Sequence, residues 1–316
     1  MVVPVSLGCC PAAPRCILCP PPEPPSPALV DALVAHYRTE RAHPADELIV
    51  AFFGGPPPGD DLLEAIGPLS FSLRVRPDLL SRGEAERLVA RGAVAVELDA
   101  LTFDDRALGR AGRAYRGALV LEMLDGLRAL GVRVGIVLAP GLPGTWHDLC
   151  VEDATRAAPR VDTARLHPVL VLAGARLEAA HSDGRYAPLS LGAAVTVCRD
   201  MVDVLEDEGV EVIRVGLQPG PDGFGRAVAG PAHSALRQLV EARRVRDHLL
   251  QRLDGTPPGS HIVIKCAPRD ETRTRGPFNQ HVRDLRAERG LADIDIEPDP
   301  ALDRGQWAIE IRGDDP

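Results

Sequence analysis

Short runs of β-branched and leucine residues alternate along this chain with longer segments patterned for helices, and this alternation constrains the fold most. The runs occupy 2–7, 48–53, 70–75, 93–98, 132–138, 161–170 and 210–217. Helical patterns fill 79–91, 118–130, 148–158 and 191–208, and two glycine stops lead straight into strands, Gly131-Val132 and Gly209-Val210. Strands joined through helices pair in parallel, because a parallel neighbour needs a long crossover. Six or seven such units without a long interruption predict a partial (β/α)6 barrel of the TIM type, with function at the C-terminal ends of its strands.

The rhythm breaks at 251–260, QRLDGTPPGS, where glycine and paired proline mark a domain boundary. The expected division is a barrel over 1–253 and a small α/β appendage over 261–316, with strands at 261–266, 292–297 and 307–312 and a helix at 278–289. A hydrophobic content of 45% and a charged content of 26% are those of a globular chain. No window approaches the roughly 18 consecutive apolar residues of a membrane span. The start MVVPVSLGCC lacks a charged segment before its apolar stretch, so the expectation is a cytoplasmic protein without membrane association. A net charge of −9 argues against a chain whose whole surface binds nucleic acid. Lys265 is the one lysine among 36 basic residues, so the abundance of arginine is compositional and carries no functional weight.

Four of the seven cysteines, Cys9, Cys10, Cys16 and Cys19, fall within eleven residues directly after the first predicted strand. In a cytosolic chain that density points to a metal rather than to disulfides. The two-residue gap between Cys16 and Cys19 is used by zinc and by iron–sulfur sites, and the loop alone leaves both open. Cys150, Cys198 and Cys266 stand singly on helix or strand patterns and are expected to pack in the core. After the second strand comes Gly54-Gly55-Pro56-Pro57, where glycine permits a close approach of backbone to a ligand.

The cysteine loop combined with this Gly-Gly segment resembles the radical SAM superfamily. Downstream blocks are similar to its Elongator catalytic-subunit-like branch: Val75-Arg76-Pro77-Asp78, Val96-Glu97-Leu98 with Phe103-Asp104-Asp105, and Ala139-Pro140-Gly141-Leu142-Pro143-Gly144. Leu166-His167-Pro168-Val169-Leu170-Val171-Leu172, Tyr186-Ala187-Pro188-Leu189-Ser190-Leu191, Ile213-Arg214-Val215-Gly216-Leu217-Gln218-Pro219 and Val228-Ala229-Gly230-Pro231-Ala232-His233 extend the likeness over roughly residues 1 to 250. The resemblance implies a 4Fe–4S cluster on three thiolates and S-adenosylmethionine held through its methionine amino group by the Gly-Gly segment. It implies reductive cleavage to a 5′-deoxyadenosyl radical, hydrogen abstraction from substrate, and an external electron donor of flavodoxin or ferredoxin type. In the namesake subunits an acetyl-coenzyme A domain works beside the radical domain on the wobble uridine of transfer RNA. The roughly 60 residues after the barrel leave no room for it, so that activity is not expected whole.

The run Gly8-Cys9-Cys10-Pro11 resembles the usual Gly-Cys-Pro with one insertion, which implies Cys10, Cys16 and Cys19 as ligands and Cys9 as the alternative first ligand. The C-x5-C-x2-C spacing is longer than is usual on this branch, and Leu18 replaces the common aromatic before the last cysteine. The usual Gly-Gly-Ser-Phe-Thr stands as Gly54-Gly55-Pro56-Pro57-Pro58, and the usual Gly-Val-Gln-Ser as Asp99-Ala100-Leu101-Thr102. Gly54, Gly55, Pro56 and Glu97 are the expected cofactor contacts, and Glu97, Arg76 and Gln218 the candidate catalytic residues. For Glu97 and Arg76 the alternative is an internal salt bridge shaping the barrel mouth. His167 is a cavity-lining candidate, and His233, after a Gly-Pro turn, is expected to be solvated or capping.

Between Gly225 and Leu291 lie 13 basic and 7 acidic residues, an asymmetry that can mark a phosphate-contacting face. Arg275-Gly276-Pro277-Phe278-Asn279 opening a helix resembles the glycine-rich turn of a small RNA-binding α/β module. A base of transfer RNA is therefore the leading expected substrate. The alternatives are a small molecule, as for the oxygen-independent coproporphyrinogen oxidase relatives, and a barrel that has lost its chemistry and keeps the cysteines for zinc.

Overall fold

The computed structural model describes residues 1–7, 17–18, 25–40, 43, 47–217, 224 and 226–312. Cys9, Cys10, Cys16, Cys19 and Gln218 lie outside the described residues. The chain divides into two compact units, Met1–Ser234 and Ala235–Pro316.

The first unit begins β1 (Val2–Ser6), α1 (Pro27–Glu40), β2 (Ile49–Phe53), α2 (Asp60–Ile66), β3 (Phe71–Val75), α3 (Arg82–Ala90) and β4 (Ala93–Leu101). It continues α4 (Asp105–Arg110), α5 (Gly117–Ala129), β5 (Arg133–Leu138), α6 (His147–Ala157), β6 (Thr163–Leu166) and β7 (Val171–Leu172). α7 (Arg176–Ser182), α8 (Leu191–Asp207), β8 (Glu211–Val215) and β9 (Ala227–Ala229) complete it. Seven strands form one sheet in the order β1-β2-β3-β4-β5-β6-β8, parallel throughout, the curled half-barrel expected of a partial TIM-type barrel. Among the described residues, no helix is long and apolar enough to cross a membrane.

Each helix covers the sheet through one stripe. In α8 the buried residues are Ala194, Val197, Cys198, Met201, Val202 and Leu205, a three-and-four spacing that keeps them on the side packed against α6 and β8. Ser190 caps this helix, its hydroxyl accepting from the Ala193 N–H.

Three local expectations differ from the structure. The run at 161–170 is one strand only to Leu166, because Pro168 cannot donate to a ladder; the chain then pairs Val171–Leu172 antiparallel with Ala227–Ala229. The helix expected from 79 starts at Arg82 behind a Ser81 cap, after a 3-10 turn over Pro77–Leu79. The helix expected from 278 starts at Gln280, because Phe278 and Asn279 are left-handed.

The second unit holds α9 (Leu236–Arg252), β10 (His261–Cys266), α10 (Glu271–Arg275), α11 (Gln280–Arg289), β11 (Asp293–Pro298) and β12 (Trp307–Arg312). Its sheet runs β11-β10-β12, with β10 parallel to β11 and antiparallel to β12. The division at 234/235 falls ahead of the expected boundary at 251–260. α9 belongs to the second unit because Val245, Leu249 and Leu253 share an apolar core with Ile262, Ile264 and Leu285.

The loop after β4 is held from a distance. Asp153, buried on α6, accepts from the Phe103 N–H at 2.8 Å, and Asp104 caps α4 by accepting from the Ala107 N–H at 2.7 Å. Burial raises the Asp153 carboxyl to about 6, against the lowering by Thr102 and the Phe103 N–H. The folded state therefore binds this proton more tightly than the unfolded chain, and stability is lost as pH rises from about 4 through about 6. Asp153→Asn, which keeps an acceptor but cannot ionise, should leave melting at pH 4 nearly unchanged. At pH 8 it should stabilise by up to about 3 kcal/mol. An equal change at both pH values in thermal or denaturant unfolding would refute this account.

Candidate active site at the C-terminal end of the barrel

The C-terminal end of β1 lies beside that of β2, with Ser6 in register with Phe53 and the Leu7 N–H donating to the Phe53 carbonyl at 2.8 Å. β1, which precedes the cysteine run in sequence, thus ends next to Gly54 and Gly55, which adopt φ values of 75° and 65°. Side chains are disfavoured in that region, so the glycines permit this turn. The Gly54 N–H donates to the Arg74 carbonyl at 2.8 Å, tying the turn to β3. Gly55 is buried and Pro56 exposed.

Ile17 and Leu18, between Cys16 and Cys19 in sequence, are seated on the loops after β4, β5 and β6. The Ile17 carbonyl accepts from the Leu177 N–H at 3.0 Å. Both side chains pack against a cluster of Leu101, Ala139, Leu142, Val169, Leu177 and Tyr186. Leu18, where relatives carry an aromatic, is thus part of an apolar contact. The Tyr186 hydroxyl donates to the Gly141 carbonyl at 2.6 Å, and a Cβ at Gly141 would lie 3.0 Å from Leu189, so two of the sequence blocks are matched to one another.

A cavity of about 510 Å³ runs inside the curled sheet and reaches the N-terminal ends of its strands, where Val2, Ile49, Val94, Arg133 and Glu211 line it. Strand alternation lines it with Ser72 and Arg74 from β3, Ala95 and Glu97 from β4, and Thr163 and Arg165 from β6. Glu97 and Arg165 meet: the guanidinium Nε donates to both carboxylate oxygens, at 2.7 and 3.0 Å. Burial pushes the Glu97 carboxyl above the ordinary glutamate range, opposed by Arg165 and Arg74. Arg74 also lies over the Phe53 ring, 5.6 Å from its centroid.

His167 follows β6, its N–H donating to the Leu138 carbonyl at 2.8 Å. Burial, reinforced by the charges of Arg74, Arg165 and Arg214, pushes its imidazole down to about 3, so the ring is neutral at physiological pH. Its Nε2 is buried and has no hydrogen-bond partner among the described residues.

Arg76 does not meet Glu97. It is 3% exposed and binds Asp78 at two points, Nε to Oδ1 at 2.9 Å and Nη2 to Oδ2 at 2.6 Å. Asp99, the next inward position after Glu97, accepts from Arg113 at 3.2 Å. The block that replaces Gly-Val-Gln-Ser contains Leu101 at φ 66°, a strained conformation for a branched side chain, at the end of β4. His233 is half-buried beyond β9.

Comparison with known proteins agrees with this geometry. The family model for the Radical_SAM C-terminal domain matches residues 161–246. A tRNA uridine(34) acetyltransferase of Dehalococcoides mccartyi (strain CBDB1) is 30% identical over 176 residues, 54% of this chain. That match spans 38% of the relative's length. The archaeal Methanocaldococcus infernus Elp3 shares the fold with a TM-score of 0.61 at 17% identity, over 83% of this chain and 70% of its own. SuiB of Streptococcus suis reaches 0.50 at 13% identity, over 69% of this chain and 49% of its own. Residues 161–246 are thus similar to the C-terminal domain of radical SAM proteins, and the fold is shared with the two solved structures.

Sequence reasoning missed Arg74, Arg165 and Gly135. The signal was a period of two, Ser72/Arg74/Arg76, Ala95/Glu97/Asp99 and Thr163/Arg165/His167, which places polar residues on the inner face. Gly135 lies on β5, between the strands of Glu97 and Arg165. A Cβ there would sit 2.7 Å from Thr163 Oγ1 and 3.0 Å from Glu97 Cγ, so the missing side chain lets Glu97 cross β5 to its partner.

Gly135→Ala should therefore destabilise by about 1–3 kcal/mol through overpacking. Adding Thr163→Ala, which removes the nearer clash, should recover part of the loss. Parental stability of Gly135→Ala in denaturant unfolding, or no recovery in the double variant, would show that the crossing does not need the glycine.

Proposed function

We propose that this protein binds a 4Fe–4S cluster through Cys10, Cys16 and Cys19 and S-adenosylmethionine against Gly54 and Gly55, and modifies a base of RNA, with transfer RNA the leading substrate. The carrying observation is that β1, which the cysteine run follows in sequence, ends beside two left-handed glycines at the end of β2. The donor set fits, since four thiols in eleven residues supply three ligands and one spare. The glycine turn fits as well, since it brings backbone rather than side chain to the mouth of the barrel.

The bound cofactors supply one-electron chemistry that removes a hydrogen atom from substrate. The residues of the chain bind, orient and shield. Gly54 and Gly55 present backbone groups to the cofactor, while Glu97 and Arg165 link β4 and β6 across the lumen. Three guanidiniums, Arg74, Arg165 and Arg214, act on His167, and the cavity is lined by Arg74, Arg133 and Arg165 against Glu97 and Glu211, a small positive excess that suits an anionic ligand. A neutral His167 with a free Nε2 is a candidate for a hydrogen bond to substrate. An external flavodoxin- or ferredoxin-type donor would deliver the electron. The buried free thiols Cys150, Cys198 and Cys266 suit the reducing cytoplasm. Support for an RNA substrate comes from the likeness to an enzyme named for uridine 34 of tRNA.

Purified without oxygen, the protein should hold iron and sulfide near four per chain. Cys10→Ala, Cys16→Ala and Cys19→Ala should each abolish the cluster absorbance and cofactor cleavage, and Cys9→Ala neither. One zinc per chain would replace the enzyme by a metal-stabilised barrel. A cluster lost in Cys9→Ala but kept in Cys10→Ala would move the first ligand to Cys9.

Gly55→Ala places a Cβ at φ 65° in the proposed cradle and should weaken calorimetric binding of S-adenosylmethionine about tenfold or more in a folded, cluster-loaded protein. Unchanged affinity would reduce the segment to an ordinary turn.

A further inference from the structure

Phe278 is 94% exposed, whereas the next most exposed large hydrophobic residue among those described, Trp146, is at 61%. Nothing in the second unit's core uses its ring. Its backbone is left-handed, at φ 51° and ψ 35°, followed by Asn279 at φ 59° and preceded by the turn at Gly276, φ 69°. A bulky L residue is disfavoured there, and a glycine or asparagine would fit better. The position thus combines a strained backbone with an aromatic that buries nothing, and the fold gains nothing from either.

The surroundings are cationic and polar. The Phe278 carbonyl accepts from Arg283 Nη1. α11 begins two residues later; Asn279 at its N-cap makes no side-chain capping bond, and the Gln280 N–H donates to the Pro277 carbonyl. From 267 to 283 the chain carries Arg269, Arg273, Arg275 and Arg283 against Asp270 and Glu271. Asp270 is buried, bound by Arg273 at 3.2 Å and the Gly305 N–H at 2.6 Å, and Glu271 pairs with Arg275 at 3.0 Å. Arg269 and Arg283 face no carboxylate among the described residues.

An exposed aromatic beside Arg283, which faces no carboxylate among the described residues, suits a polyanion that also presents flat faces. We propose that Phe278 is a stacking platform for an unpaired base of single-stranded RNA, with Arg283 and the first turn of α11 toward its phosphates. This rests on the RNA reading above and assigns the second unit its part in it. A protein partner would need an apolar rim around the ring, and the neighbours Asn279, Gln280 and Arg283 do not supply one.

The test uses the full chain with a fluorescent single-stranded oligoribonucleotide of about ten nucleotides and a matched strand whose central positions are abasic, read by anisotropy at low salt. Phe278→Ala should bind the intact strand about 5- to 100-fold more weakly, and Phe278→Trp should bind it as the parent does. On the abasic strand the parent and Phe278→Ala should bind equally, with the same salt dependence, because the phosphates are unchanged. Equal binding of the intact strand by the parent and Phe278→Ala would overturn the stacking role while leaving the RNA reading in place. An equal loss by Phe278→Ala on both strands would assign the ring a structural part and overturn the proposal. Binding of neither strand by the parent would remove the RNA reading with it.

Discussion

Parallel pairing is the constraint from which the rest of the first unit follows. Every strand from β1 to β8 in the large sheet points the same way, so each crossover returns over the outside and every C-terminal end opens on one rim. Segments far apart in sequence are thereby brought together: the end of β1, the glycines after β2, Arg76 after β3 and His167 after β6. The small β7–β9 ladder adds to this rim by pairing Val171 with Ala229 across more than fifty residues of chain.

Inside the sheet, charge is organised by what one strand lacks. Glu97 reaches Arg165 only because β5 presents Gly135 between them. An ion pair in a partly enclosed lumen contributes little net stability, since desolvation offsets the attraction, but breaking it leaves a buried charge. Its value lies in fixing the positions of two side chains in a cavity that otherwise carries positive charge. Burial, reinforced by the charges of Arg74, Arg165 and Arg214, keeps His167 neutral, and burial raises the Glu97 carboxyl against the pull of Arg165 and Arg74.

The second unit shows how far a charge count differs from a charged surface. Of the 13 basic residues between Gly225 and Leu291, nine face a carboxylate among the described residues, several at helical spacing, as in Arg237–Glu241 and Arg243–Asp247. Such exposed pairs add little stability, yet they spend the positive charge locally. What remains unpaired beside the turn at Phe278 is more informative than the total.

The sheet and its direction were legible in the sequence, because strand and helix periodicities are written within a few residues: Arg76 could be placed after a strand and Gly54-Gly55 at a turn, whereas Glu97, expected at a strand end, lies inside β4 because that strand runs on to Leu101. The family likeness was legible for the same reason, since its blocks are the loops that follow strands. Tertiary structure alone decided that Glu97 pairs with Arg165 rather than with Arg76, that Asp153 holds the backbone at Phe103, and that α9 belongs with the second core. It also decided that Phe278, read as the first residue of a helix, stands outside it with its ring in solvent. These depend on the register between strands and on the space left by neighbours such as Gly135, which arise only when distant segments pack and which no local pattern encodes.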